Sequence, residues 1–516
     1  MRTALDSRPT VTAVRPAASL PRLIMASSRG PVEHTLDGQG QLVRRLNPGG
    51  LSTALASLAT GLPITWIANA GSDADRVIAG CDHAIGLEDG KRLRLLAPPA
   101  EAYQLFYSTF CNPILWFLQH SLWDRLQRAD LDREALDAWQ DGYLPVNQLF
   151  AEAVVEELAR GDGRDRVMLH DYHLYAAPLF IRNRVPSAVL QHFIHVPWPA
   201  PEEWAHLPRA IAESICEGLL ANDSVVFQTE RSAHNFVLTC QTFLPDVQTD
   251  DDASTLSRGG RTTRVWWNPI SVDVWYLRSQ LTSPEAAPYR DALRAEADER
   301  TIVRVDRLDP VKNVAAGFRA YGRLLERHPE WRGRARFLAF LVPSRSSIPE
   351  YAAYAAEVQQ EMDAVNERYG RPGWQPVTVF YEHNRTQALV ALSLSDVLLV
   401  NPVADGMNLV SKEGPALNAR DGVLVLSETA GASAELGRAA LPVRAGDIDG
   451  TAEALHAALA MPAEERGARA RALREAVLRH DLRRWLGLLL DDLDARAAGT
   501  PVAVATAERA RSGAAS

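Results

Sequence analysis

The chain is 516 residues long, 47% hydrophobic and 23% charged, a balance that excludes collagen, coiled coil and wholesale disorder and leaves room for two or three cores. With 55 Lys plus Arg against 64 Asp plus Glu the formal charge is −9, so there is no global basic footprint for nucleic acid, although a local cationic cleft for a small phosphate is compatible with it. The four cysteines, Cys81, Cys111, Cys216 and Cys240, form no CxxC pair, which argues against a disulfide framework or zinc site and fits a reducing cytoplasm. No apolar run approaches the roughly 18 residues of a membrane span. The run from Trp485 stops at Asp491 and Asp492, and residues 20–25 are too short and too Pro/Arg-flanked for a signal peptide. A soluble, cytoplasmic protein with no membrane partner is expected.

Residues 1–19 and 496–516 are rich in Ala, Thr, Ser, Arg and Pro without apolar periodicity and read as tails. Between them short β-branched or aromatic runs alternate with amphipathic stretches, the rhythm of parallel sheets covered by helices. The first half offers strands at 23–26, 64–68, 167–169, 189–195 and 225–228, with helical patterns through Leu51, Leu55 and Leu58 and over 230–239. Residues 249–260 read as a polar surface loop, with Asp250 to Asp252 as solvated charge and no strand following. After a charged stretch at 283–300 the alternation restarts, with strands at 302–305, 337–342, 377–381, 397–400 and 423–426. Two consecutive doubly wound halves are thus predicted, with a joint near 275–300. Ligands of such sheets sit beyond the carboxyl ends of the strands, in a cleft between the halves.

The loops after strands carry the chemistry. Ser27-Ser28-Arg29 follows the first strand, and Gly49-Gly50 opens a helix whose amides could approach an anion; a simple tight turn is the alternative. Arg307 and Lys312 stand at the exit of the strand beginning at Thr301, where a planar fork and a point charge suit a diphosphate. The alternative there is a solvated loop. Asp405, Gly406, Met407, Asn408 and Leu409 form a polar turn before a helix bearing Glu413, a carboxylate placed to accept both ribose hydroxyls. His170 and His173 are three apart, but no further Cys, His or Glu pattern completes a metal site. Trp198 and Trp204 read equally as sugar platforms or as core.

Seven segments, HDYHL (170–174), FIHVPWPAPEEW (193–204), FQTE (227–230), RVDRLDPVKN (304–313), PSR (343–345), DGMNLVSKEG (405–414) and VLSETAGASAEL (425–436), occur in this order. In order and spacing they resemble the trehalose-6-phosphate synthase family, glycosyltransferase family 20, over residues 23 to 490. The resemblance implies an α/β glycosyltransferase-B (GT-B) fold of two Rossmann-like domains facing a central cleft. These would be an acceptor domain over 20–285, a nucleotide-sugar domain over 286–475, and a helix over 476–495 returning to the first. It implies a retaining glucosyltransferase moving glucose from UDP- or GDP-glucose to glucose 6-phosphate, with no metal or other cofactor; a homo-oligomer is left open.

Carried over by position, the resemblance makes Arg29, Tyr107, Trp116, Asp171 and Arg345 acceptor contacts. It places Gly50, Arg307, Lys312, Asp405, Gly406, Met407, Asn408, Leu409 and Glu413 on the donor, and gives Asp171, His195, Arg307 and Lys312 to catalysis. A cation pair aimed at the departing diphosphate would stabilise the transition state preferentially.

The sequence departs from the family pattern at Pro310, Asn313, Ala404, Trp198 and Ser271. Asp-Pro-x-Lys-Asn and Pro-Trp-Pro also resemble the validoxylamine-phosphate synthases, which use a cyclitol nucleotide. Glucosylglycerol-phosphate synthases share much of the C-terminal half. A silent sugar-phosphate sensor and a glycoside hydrolase, which would need two facing carboxylates, are the readings from other classes.

Overall fold

In the computed structural model, residues 21–46, 62–80, 84–87, 90–126, 128, 130–250, 254–296, 299–381 and 384–499 are described. Residues 1–19 and 500–516 of the expected tails, the Gly49-Gly50 loop with Gly50, the helical pattern after it, Cys81, Asp251 and Asp252 lie outside them; 496–497, expected as tail, close the last helix. Among the described residues the strands gather into two large sheets and one hairpin. The first sheet is built from β1 (Leu23–Arg29), β4 (Ile64–Asn69), β5 (Ile85–Gly86), β6 (Arg92–Leu96), β7 (Arg166–His170), β8 (Leu190–Phe193), β9 (Ser224–Phe227), β10 (Gln248–Thr249), β11 (Thr255–Arg258) and β12 (Arg261–Trp267). Its order is β10-β11-β12-β9-β8-β7-β1-β4-β6-β5, parallel through the centre and antiparallel at both edges. β2 (Val32–Leu36) and β3 (Leu42–Leu46) form the separate hairpin.

The second sheet comprises β13 (Arg300–Leu308), β14 (Ala335–Pro343), β15 (Val377–Phe380), β16 (Val397–Val400), β17 (Val423–Ser427) and β18 (Leu441–Val443). All its pairs are parallel, in the order β15-β14-β13-β16-β17-β18, the 3-2-1-4-5-6 order of the doubly wound fold. Its central strands are buried on both faces, as are β1, β7, β8 and β9. This is why they read as continuous apolar runs and were legible as strands.

One expectation is corrected. Residues 254–260 are not a loop: Thr255–Arg258 form β11, and Gly259-Gly260, at φ 57° and 78°, turn it back into β12. Two residues of positive φ make a two-residue hairpin turn, for which glycine carries no steric cost. Asp250 accepts the backbone N–H groups of Ser254 and Thr255, so it is tied to the start of that strand. The charged stretch 283–300 contains the helix Ala286–Glu296.

The last helix, Leu482–Ala497, lies on the first sheet, although the chain reaches it from the second. Trp485 meets Phe193 edge-on at 5.2 Å and its carbonyl accepts from Asn268. Asp492, buried, accepts from Gln191 at 2.8 Å and Arg264 at 2.6 Å. One apolar cluster runs from Met25 and Phe193 through Trp485 to Val303, Leu398 and Leu424, and so joins the two sheets. No helix among the described residues is long and apolar enough to cross a membrane.

Candidate active site

The carboxyl ends of the two sheets face one another, and the residues singled out in the loops lie there. Arg29, the last residue of β1, donates from Nη2 to Tyr107 Oη at 3.0 Å. Tyr107 lies in the wide-turned helix Leu105–Leu115, stacked on Tyr103 at 5.6 Å. Burial alone would raise the Tyr107 phenol, but Arg345 and Arg29 outweigh it and hold it below its ordinary value. Arg345 comes from the other half, just past β14, at φ 51°. Its guanidinium lies 4.4 Å over the Trp116 ring and donates to Tyr351 Oη at 2.6 Å and Tyr172 Oη at 3.2 Å.

Arg307, inside β13 and two-fifths exposed, lies over the same indole at 5.3 Å and donates to Ser344. Arg29, Arg345 and Arg307 thus line a path of Tyr107 and Trp116 rings contributed by the first half. One buried carboxylate, Asp309, stands among them. It receives Trp116 Nε1 at 3.3 Å, Arg307 at 3.3 Å, Arg345 at 3.4 Å and the Val311 N–H. Asp309, Tyr172 and Tyr351 were missed by sequence reasoning. The first two stand inside the segments RLDP and HDYHL, where their position was available as a signal; Tyr351 had none.

Lys312 is ion-paired with Asp405, whose carboxyl also accepts from Asn408. Burial would raise Asp405, and the Lys312 charge overrides it to hold the carboxyl below the usual range. The two therefore meet each other first. Gly406 shows why its position takes no side chain: a Cβ there would lie 1.8 Å from the carbonyl oxygen of His195 in the opposite half. Met407 is buried, Asn408 adopts φ 75°, and Leu409 caps the helix Val410–Leu417. Glu413, on that helix, accepts from Arg385 at 2.9 Å.

Asp171 follows β7 at φ 72°, and its carboxyl accepts the backbone N–H of His195 at 3.2 Å. Burial pushes that carboxyl up to about 6. His170 faces His195, while the His173 ring lies tilted against Tyr172 at 4.0 Å, so the two go to different partners. Among the described residues one His/Glu group brings its ligand atoms within 4.8 Å, His328, Glu330 and His456. The two rings stack 3.6 Å apart at 8°; lone pairs lying in parallel planes do not converge on one ion.

Several departures noted in the sequence have structural explanations. Trp198 and Trp204 are core: both are buried and stack on each other at 4.3 Å. Asn313 occupies the left-handed region at φ 57°, ψ 39°, which asparagine tolerates better than other side chains. Pro310 opens the single turn Pro310–Lys312 capped by Asp309, a place where its missing N–H goes unused. Ser271 is fully buried.

Residues 21–495 match the family model for Glycosyltransferase family 20. The chain is 34% identical over 480 residues to a bifunctional trehalose-6-phosphate synthase/phosphatase of Thermoproteus tenax, covering 90% of this chain but 62% of that protein. It is 32% identical to a trehalose-6-phosphate synthase of Mycolicibacterium smegmatis, covering 92% of each. It is 29% identical to a validamine 7-phosphate valienyltransferase of Streptomyces hygroscopicus, covering 94% of this chain and 96% of that one. Among solved structures, the E. coli trehalose-6-phosphate protein bound with UDP-2-fluoro glucose superposes with a TM-score of 0.78 at 28% identity, covering 92% and 98%. A Burkholderia xenovorans α,α-trehalose-phosphate synthase in complex with glucose-6-phosphate gives 0.79 at 27%, covering 92% and 100%. The two sheets therefore have the GT-B arrangement.

Proposed function

Because the chain belongs to glycosyltransferase family 20, we propose that it transfers glucose from UDP- or GDP-glucose to glucose 6-phosphate with retention, giving α,α-trehalose 6-phosphate. The observation that carries this reading is the meeting of Arg29 and Tyr107 from one half with Arg345 from the other around Trp116. Two planar forks and a phenol assembled across the cleft suit a phosphate monoester, which takes bidentate donors. The site is complete only when both halves contribute.

In this reading Arg307 and Lys312 face the diphosphate. Negative charge grows on that leaving group as the anomeric bond breaks, so a fixed cation there stabilises the transition state more than the ground state. Lys312 is held by Asp405 until a ligand competes, which keeps the ammonium in place. Glu413 on its helix faces the ribose, and Asp405 through Leu409 face the glucose. Asp171, with a carboxyl poised near 6, meets the acceptor hydroxyl.

A second reading, a cyclitol nucleotide donor, is favoured by the Asp309-Pro310 and Pro197-Trp198 elements and by the likeness to the valienyltransferase. Trp198 is buried in the core and Pro310 serves a capped turn, so neither substitution bears on a substrate contact. These two elements therefore do not distinguish glucose from a cyclitol. The test is incubation with each nucleotide sugar and a panel of phosphate acceptors, followed by product masses; nucleotide release with glycerol 3-phosphate or a cyclitol phosphate alone would contradict the proposal.

A further inference from the structure

Three side chains stand in a row at adjacent strand exits of the first sheet: His170 ends β7, His195 lies two residues past β8, and Gln228 lies one residue past β9. Gln228 is buried, and its Oε1 accepts the backbone N–H of Ile270 at 2.9 Å. A backbone N–H only donates, so this contact fixes which end of the amide faces Ile270. The Nε2 end then faces His195 Nδ1 at 3.3 Å. An amide NH₂ donates and does not accept, so Nδ1 of His195 is the acceptor and carries no proton. The proton of the neutral ring therefore sits on Nε2, which donates to His170 Nδ1 at 3.2 Å. By the same logic His170 carries its own proton on Nε2.

We propose that Gln228 is a positioning residue that locks His195, and through it His170, as the neutral Nε2–H tautomer. His195 then has no nitrogen left to serve as acid or base, and enters the reaction as a fixed ring beside the Gly406 contact. Protonating its Nδ1 would set N–H against N–H. The other ionisable groups facing His195 leave this intact: Asp171 takes its backbone N–H, and His192 bonds to the Asp171 carbonyl at 3.0 Å. Burial pushes His195 down to about 3 and His170 down as well, in the same sense as the lock. Ile270 ties the lock to the joint between the halves, since its carbonyl accepts from Lys412 of the second half at 2.8 Å.

The test uses the full chain with ¹³Cδ2-labelled histidine, the two signals assigned by His195→Asn and His170→Asn. Both are expected at the Nε2–H position, with His195 unchanged between about pH 5 and 8. Gln228→Glu keeps an oxygen for Ile270 but offers Nδ1 an acceptor. There His195 is expected to gain a proton on Nδ1 and to titrate in that range, while kcat falls by up to about 10²-fold with little change in KM. Gln228→Met, of similar length without the amide, guards against a misfolded Glu variant and is expected to release the tautomer preference. An Nδ1–H ring in the unaltered protein, or an unmoved His195 signal in both variants, overturns the proposal. Only the kinetic consequence rests on the proposed glucose transfer; the resonance positions need no turnover, so the two readings fail separately.

Discussion

Asp171 shows how much one residue can carry. It sits at φ 72°, ψ 174° directly after a buried strand, a conformation that costs a side-chain-bearing residue about 1–3 kcal/mol and tends to occur at functional sites. Its carboxyl is raised to about 6 from an ordinary value near 3.9. The folded state thus favours the protonated form. Its contribution to stability is full below about pH 4 and is lost as pH rises towards 6. If the carboxylate receives the acceptor hydroxyl, kcat/KM for the acceptor falls as pH drops through about 6, and Asp171→Asn removes that limb; a pH–rate series on both proteins checks it. Arg345 gives a second expectation. Its removal leaves Asp309 and a bound phosphate without a buried cation, a loss of about 2 kcal/mol or more, so Arg345→Ala should raise KM for the sugar phosphate about 30-fold, read from initial rates at saturating nucleotide sugar. Arg29, Tyr107, Trp116 and Arg345, named from the resemblance by position, are brought together by the structure. Asp309 stood inside the RLDP segment, yet its partners Trp116 and Arg345 lie on other elements; Tyr351 had no local signal at all.

At the level of elements, the buried strands were readable from their continuous apolar runs, whereas β2–β3 and β10–β11 were not. Short, half-exposed strands lack that signal, and the Gly259-Gly260 pair reads the same in a loop as in a hairpin turn. The helix Val410–Leu417 carries a feature the motif did not disclose. Lys412, fully buried, is bonded to Ile270 O and to Glu435 at 2.5 Å, and Glu435 in turn meets His480 at 2.7 Å, just before the last helix. Breaking one member of a buried ion pair costs about 3–5 kcal/mol because the other charge stays behind. Glu435→Gln should therefore lower the thermal midpoint in calorimetry, with Lys412→Met/Glu435→Gln recovering part of the loss. Gly406 yields the complementary expectation. Its close approach to the His195 carbonyl leaves no room for a methyl, so Gly406→Ala should push the two halves' backbones apart, cutting turnover by about 10²-fold or more and lowering the thermal midpoint while the far-UV circular dichroism spectrum stays near that of the parent.

For the whole molecule, the two parallel sheets followed from alternation alone, but how they join did not. Only the resemblance implied a helix over 476–495 returning to the first half; the structure has the helix Leu482–Ala497 on the first sheet, held there through Trp485 and Asp492. A formal charge of −9 likewise concealed Arg29, Arg307 and Arg345 gathered along one aromatic path, with Asp309 between the two arginines of the second half. That gathering is the basis of the proposal that a phosphate acceptor and a nucleotide-sugar donor meet between the sheets. The most direct measurement is the product of a reaction with UDP- or GDP-glucose and glucose 6-phosphate, identified by mass and by the anomeric couplings in its NMR spectrum. The expected product is α,α-trehalose 6-phosphate, with nucleoside diphosphate released only when glucose 6-phosphate is present. Nucleotide release confined to a different acceptor, or a product with inverted configuration at the transferred sugar, would contradict it.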